Sequence, residues 1–200
     1  SIERALTVLG AVAVAGIAMV ARLDGSLAPR DSSASALLHL RRHSLLTAVA
    51  AKALADRAAD GIWDRESAFV LGLLHDLGWL VQLQTGSGRS PQRESAPAQA
   101  ADCAEHALLS AALFAHWQLP AQFIDAVRDH HRLAGPDAPG GMLLALAEQC
   151  AVHAGDEFGP RQAPAQLQPS LALFGLTEAD LARLGAQCAA EAVAIDALVH

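Results

Sequence analysis

The sequence predicts an all-α fold, a multi-helix bundle. Three observations carry this. Alternating β-branched runs joined by Asn-Gly or Asp-Gly turns are missing. Apolar residues recur instead at three- and four-residue spacing through most of the chain. The stretches between these runs are mostly short and rich in Pro, Gly, Ser and Asp, as in connections between packed helices. Hydrophobic residues make up 52% of the 200, enough for one substantial core, or for one domain and part of a second.

A first helix is expected over residues 2–23. It contains ALTVLGAVAVAGIAMVA, residues 5–21, which is uncharged. That run is at the short edge for a membrane span, is built from Ala and Gly more than Leu, Ile and Phe, and follows Glu3 and Arg4. It reads as a close-packed core helix rather than a membrane segment or signal-peptide core, and no membrane association is expected. DGSLAPRDSS is a polar connection, and a second helix is expected over residues 35–59. Asp64 is a suitable N-cap for a third, with Glu66 in its first turn. That helix continues to residue 84 and contains LGLLHDLGWL, apolar nearly all round and therefore central.

Residues 85–102 read as a loop or weakly ordered insertion. A fourth helix is expected over residues 104–117, and Pro120 opens a fifth that runs to residue 132. AGPDAPGG is a loop, residues 142–153 form a sixth helix, and GPRQAPAQLQPS is a linker. Thr177, with Asp180 three residues on, resembles a capping box that starts a last helix.

Acidic residues outnumber basic ones 21 to 14 and no Lys/Arg run stands out, so no nucleic-acid partner is expected. Cys103, Cys150 and Cys188 are scattered and show no CxxC spacing, which fits a reducing, cytoplasmic setting and small buried fillers. The chain opens at Ser1 rather than a methionine and reads as part of a longer protein.

The histidines carry the chemistry. His75 and Asp76 sit inside an apolar run, where an unpartnered carboxylate is costly. Phe123, Val127 and His130 follow one helical stripe, and Ile124, Val127 and His131 another, so both histidines border a buried face. His43 and His106 lie at helix-compatible places. Taken singly, His43 or His106 suits a satisfied helix histidine, and His130-His131 a pair of cations near a helix C-terminus. Together, five imidazoles and one carboxylate suit one six-coordinate ion or two nearby divalent ions, of zinc, iron, manganese or nickel. His39, His116, His153 and His200 have no such setting and read as structural or surface residues.

The order His43, His75-Asp76, His106, His130-His131 resembles the HD superfamily of helical metal-dependent phosphohydrolases, and the paired histidines its HD-GYP branch. The surrounding text is still more similar to the HDOD domain, a relative used in bacterial signalling. SIERALTVLG, LRRHSLLTAVAAKALA, SAFVLGLLHDLGWLVQL, EHALLSAALFAHWQLPAQFIDAVRDHH and LLALAEQCAVHAG resemble its segments in order. The resemblance covers most of residues 1–155, taken as the HD-like helical domain and the later part of an HDOD domain. Residues 156–169 would be a linker and 170–200 a C-terminal helical extension. The resemblance also implies a metal-ligating carboxylate in the sixth helix, where this chain has Glu148 in place of aspartate. It implies a lysine after HD-x-G, where this chain has Trp79, and a GYP sequence after His130-His131, where it has RLAGPDAPGG.

Three readings follow. In the first the chain is a signalling module acting on other signalling domains or proteins, with a retained metal centre and eroded phosphate-handling features; homo-oligomerisation is left open. In the second it is a metal-dependent phosphohydrolase acting on a nucleotide or cyclic dinucleotide. In the third it is a metal-free helical adaptor in which a neighbouring histidine neutralises Asp76.

Overall fold

The computed structural model describes residues 34–57, 63–85, 96–132, 138–158 and 161–199. Among the described residues it holds eight helices and no strand. The helix expected over residues 2–23 lies outside them. No described helix is long and apolar enough to cross a membrane.

Helix α1 (Ala34–Ala55) buries Leu40, Leu46, Val49, Ala50 and Leu54. Helix α2 (Arg65–Leu74) begins as predicted: the Asp64 carboxylate accepts from the backbone N–H groups of Glu66 and Ser67, at 3.1 and 2.9 Å. The expected continuation to residue 84 does not hold. The helix stops at Leu74, His75 and Asp76 form a turn, and α3 (Leu77–Thr85) follows. Two close approaches accompany the break. A Cβ on Gly72 would stand 2.7 Å from the Ala48 Cα, so α2 lies directly on α1. A Cβ on Gly78 would stand 2.0 Å from the His106 carbonyl oxygen, so α3 is pressed against the next helix. The Gly78 N–H there donates to Ser110 Oγ at 2.8 Å.

Helix α4 (Ala96–His116) starts earlier than expected, because residues read as loop belong to its first turns. Those residues are mostly Ala and Gln, good helix formers, and Pro97 is tolerated where no intrahelical donor is needed. Helix α5 (Ala121–Asp129) is preceded by Pro120 as expected but ends before His130, and His130 and His131 lie in the turn beyond it. Helix α6 (Pro139–His153) is buried from Gly140 to Ala151 and packs against α1, α2 and α5. It includes Pro139, Gly140 and Gly141, read from sequence as loop; Pro139 occupies its first turn.

Helix α7 (Pro164–Phe174) begins inside the stretch read as a linker and runs past its end, burying Leu167, Leu171 and Phe174. Helix α8 (Glu178–Val199) starts at the predicted capping box. Thr177 N–H and Oγ1 donate to Asp180 Oδ2 at 2.9 and 2.6 Å, and the Asp180 N–H returns to Thr177 Oγ1 at 3.3 Å. Leu181, Leu184, Cys188 and Ala192 form its buried stripe. Helix α8 packs on α6 and α1, and α7 on α6. Cys150 and Cys188 are buried and free, in keeping with a filler role.

Candidate metal centre

Five stretches of the bundle converge on one point. Helix α1 carries His43, the α2–α3 turn His75 and Asp76, α4 His106, the turn after α5 His130 and His131, and α6 Glu148. The structure therefore brings together all seven residues named from the sequence. The break between α2 and α3 explains how His75 and Asp76 both face the cluster, since neighbours in a continuous helix would diverge. His39, His116 and His153 are not in it, and His200 lies outside the described residues.

The cluster is dry. His43, His75, His130 and Glu148 have no solvent exposure, and the His131 side chain, at 12%, is the most open. The Nε2 atoms of His43 and His75 are 3.2 Å apart, and His43 Nε2 is 3.3 Å from Asp76 Oδ2. His75 Nε2 lies 3.4 Å from both Asp76 Oδ1 and Glu148 Oε1. His106 Nε2 is 3.0 Å from Asp76 Oδ1 and 3.1 Å from His131 Nε2. His130 Nε2 stands 3.6 Å from Asp76 Oδ1 and 3.7 Å from Glu148 Oε1. Donors held tetrahedrally by bonds of about 2.0–2.1 Å are separated by about 3.3 Å, the scale of these edges.

Hydrogen bonding points the same way. Asp76 Oδ1, His130 Nε2 and both Glu148 oxygens are buried without a hydrogen-bond partner. Imidazole nitrogens lie near these oxygens, but none makes a hydrogen bond to Asp76 Oδ1 or to either Glu148 oxygen. Leaving such groups unsatisfied is expensive, and a cation among them relieves the cost. The outer ring nitrogens are held instead by acceptors that assign the tautomer. His75 Nδ1–H donates to the Gly72 carbonyl at 2.7 Å, and His130 Nδ1–H to the Val127 carbonyl at 2.6 Å. Each leaves an Nε2 lone pair facing inward.

Two quartets of donors meet the distance requirement for an ion: Asp76, His106, His130 and His131, and His75, Asp76, His130 and Glu148, each with ligand atoms within 4.8 Å of one another. They share Asp76 and His130. His43 adjoins the second through His75 and Asp76. These groups could hold one or two divalent ions, and a nitrogen and oxygen donor set suits zinc, iron, manganese or nickel.

Electrostatics bind the cluster together. Burial pushes the Asp76 carboxyl up, but the His75, His106 and His130 imidazoles override it and hold it well below the usual range. Burial opposes ionisation of Glu148 too, yet His131, His75 and His130 bring it down to about 2. Burial pushes His43 down, but Asp156 and Asp76 outweigh it and raise the imidazole to about 10. Against the same burial, Asp76 and Glu148 raise His130. His131 is held well below the ordinary range by burial and by His130. Protons and cations therefore compete for the same atoms.

Aromatic rings wall the cluster. Trp79 stacks on His106 with centroids 4.7 Å apart and planes at 24°. Phe158 lies 5.3 Å from the His43 ring and 6.1 Å from Trp79. Both walls are buried, at 5% and 6% exposure. Asp156, 2% exposed, reaches His43 from the turn after α6 and is a member that sequence reasoning missed.

A model of the HDOD domain matches residues 1–133. The chain belongs to the HDOD family. A solved structure of the MmoQ response regulator from Methylococcus capsulatus str. Bath is similar at 25% identity, with a TM-score of 0.56, covering 93% of this chain and 75% of that one. No curated protein matches the chain. Within this HDOD chain, His43, His75, Asp76, His106, His130 and His131 fall in the matched segment, while Glu148 and Asp156 lie beyond it.

Proposed function

We propose that this HDOD chain is a signal-transduction module of the cytoplasm, with a buried centre that holds one or two divalent transition ions as a structural pin or ligand sensor. Other signalling domains or proteins would be its partners. One observation carries the preference over catalysis: Trp79 lies flat on His106, over a donor set that is almost wholly buried. A phosphoryl group needs access and positive charge. An indole supplies neither, at the position where the resemblance to the phosphohydrolases implies a lysine. A metal that couples the α1, α2–α3, α4, α5 and α6 segments would stabilise the bundle without turnover. The response-regulator neighbour supports the signalling half of the reading.

Elemental analysis of protein purified without added metal tests this. Near-stoichiometric transition metal is expected, and its loss in a His75→Ala, Asp76→Ala variant. Metal below stoichiometry and unchanged by that variant would favour the metal-free adaptor.

The paired quartets favour a second reading, a phosphohydrolase acting on a nucleotide or cyclic dinucleotide. Bound divalent ions would supply Lewis-acid polarisation of a phosphoryl oxygen and activation of water. His131, the most exposed member of the cluster, would then face the substrate. Manganese- or iron-dependent turnover of phosphodiester substrates, abolished by the same double variant, would establish this reading over the first.

A further inference from the structure

We infer that Asp156 is a positioning residue for the metal centre, acting through His43; this rests on the metal reading above. Helix α6 ends at His153, and the chain then turns back through Gly155. The Asp156 backbone N–H donates to the Ala151 carbonyl at 3.0 Å, which fixes the carboxylate against the core. Its Oδ2 accepts from His43 Nδ1–H at 2.8 Å and from the Phe158 N–H at 3.2 Å.

The consequence falls on the far side of the ring. With Nδ1–H committed to Asp156, Nε2 is the nitrogen that faces His75 and Asp76. His75 and His130 are oriented by carbonyls of their own helical turns, whereas His43 is oriented by a charged group 113 residues away. A carboxylate behind a ligating imidazole raises its donor strength more than a neutral carbonyl does, and loss of such a group weakens metal binding about tenfold to a hundredfold. The same turn brings Phe158 against the His43 ring, so orienting and sealing come from one short segment.

Cobalt(II) titration of the full chain tests this, read by dissociation constant and by the visible ligand-field bands. Melting in chelator monitors the fold. Asp156→Asn keeps an acceptor for both N–H groups but removes the charge, so it should bind cobalt about tenfold more weakly, with shifted bands. Asp156→Ala should approach a hundredfold. Unaltered affinity and bands in both variants, with wild-type binding intact, would overturn the role of Asp156 and leave the metal reading standing. Loss of the fold in chelator by both variants would make Asp156 a fold-holding residue instead. A wild-type chain that binds no cobalt would overturn both readings.

Discussion

The Trp79 indole and the His106 imidazole are stacked, 4.7 Å between centroids and 24° between planes. The contact joins α3 to α4 and closes one side of the His/carboxylate cluster. Trp79→Ala should therefore act twice. It should destabilise the protein by about 3–5 kcal/mol, as for other buried aromatics cut to alanine. It should also speed the stripping of bound metal by a chelator, because water and chelator gain a path to His106. Trp79→Phe should keep most of the stability and the slow stripping. Urea unfolding and chelator kinetics check both effects; an unchanged stripping rate in a folded Trp79→Ala protein would mean that the indole does not seal the site.

The pH dependence of stability should differ with and without metal. Asp76 and Glu148 are held below their unfolded values of 3.8 and 4.5, so their contribution is complete above those values and is lost as pH falls. His131, held below 6.5, adds a loss as pH drops under that value. His43 and His130 are raised, so their contribution is complete below 6.5 and is lost as pH rises through their folded values, about 10 for His43. In chelator, melting temperature should fall on both flanks. Saturating zinc should flatten the alkaline flank, because the ion takes the nitrogens that protons vacate. An alkaline flank equally steep in both conditions would remove both His43 and His130 from the donor set.

The helices were legible wherever local chemistry decides them. Asp64 and Thr177 cap as their spacing implies, and the six residues named by the histidine pattern meet in space with Glu148, the one named by the family resemblance. The break at His75-Asp76 was not legible, because an apolar helix and two helices meeting in the core look alike in one dimension. The signal was Gly72 and Gly78, three before His75 and two after Asp76, which become meaningful only once α1 and α4 lie against them. Helix α7 carried a readable sign, Pro164 at its start and Gly175 after its end. Asp156 carried none, since its partner His43 is 113 residues away and only the folded bundle joins them.

Backbone proximity predicts a contrast between two glycines. Gly78→Ala would place a Cβ 2.0 Å from the His106 carbonyl oxygen, a backbone atom that cannot rotate away. The cost should reach the upper end of overpacking, about 3 kcal/mol, and metal affinity should fall because His106 must move. Gly155→Ala meets no atom within 4 Å but sits at φ +85. It should cost only the strain of the left-handed backbone, about 1–2 kcal/mol. Urea unfolding with a parallel metal titration separates the two, and equal losses of affinity would show that the α3–α4 approach does not position His106.

Glu148 offers the sharpest division between donor and mere counter-charge. Its Oε1 is 3.4 Å from His75 Nε2 and 3.7 Å from His130 Nε2, and neither oxygen has a hydrogen-bond partner. Glu148→Gln preserves size and removes charge. In chelator it should destabilise by about 3 kcal/mol, since imidazoles are left without a buried carboxylate. Glu148→Asp preserves charge but withdraws the oxygens by one C–C bond, about 1.5 Å. If Glu148 donates to an ion, both variants should weaken binding. A chain that binds two ions should then bind one, because the Asp76, His106, His130 and His131 quartet does not use Glu148. If charge alone matters, Glu148→Asp should bind like wild type while Glu148→Gln does not. Metal stoichiometry by elemental analysis, with affinities by competitive titration, decides between these outcomes.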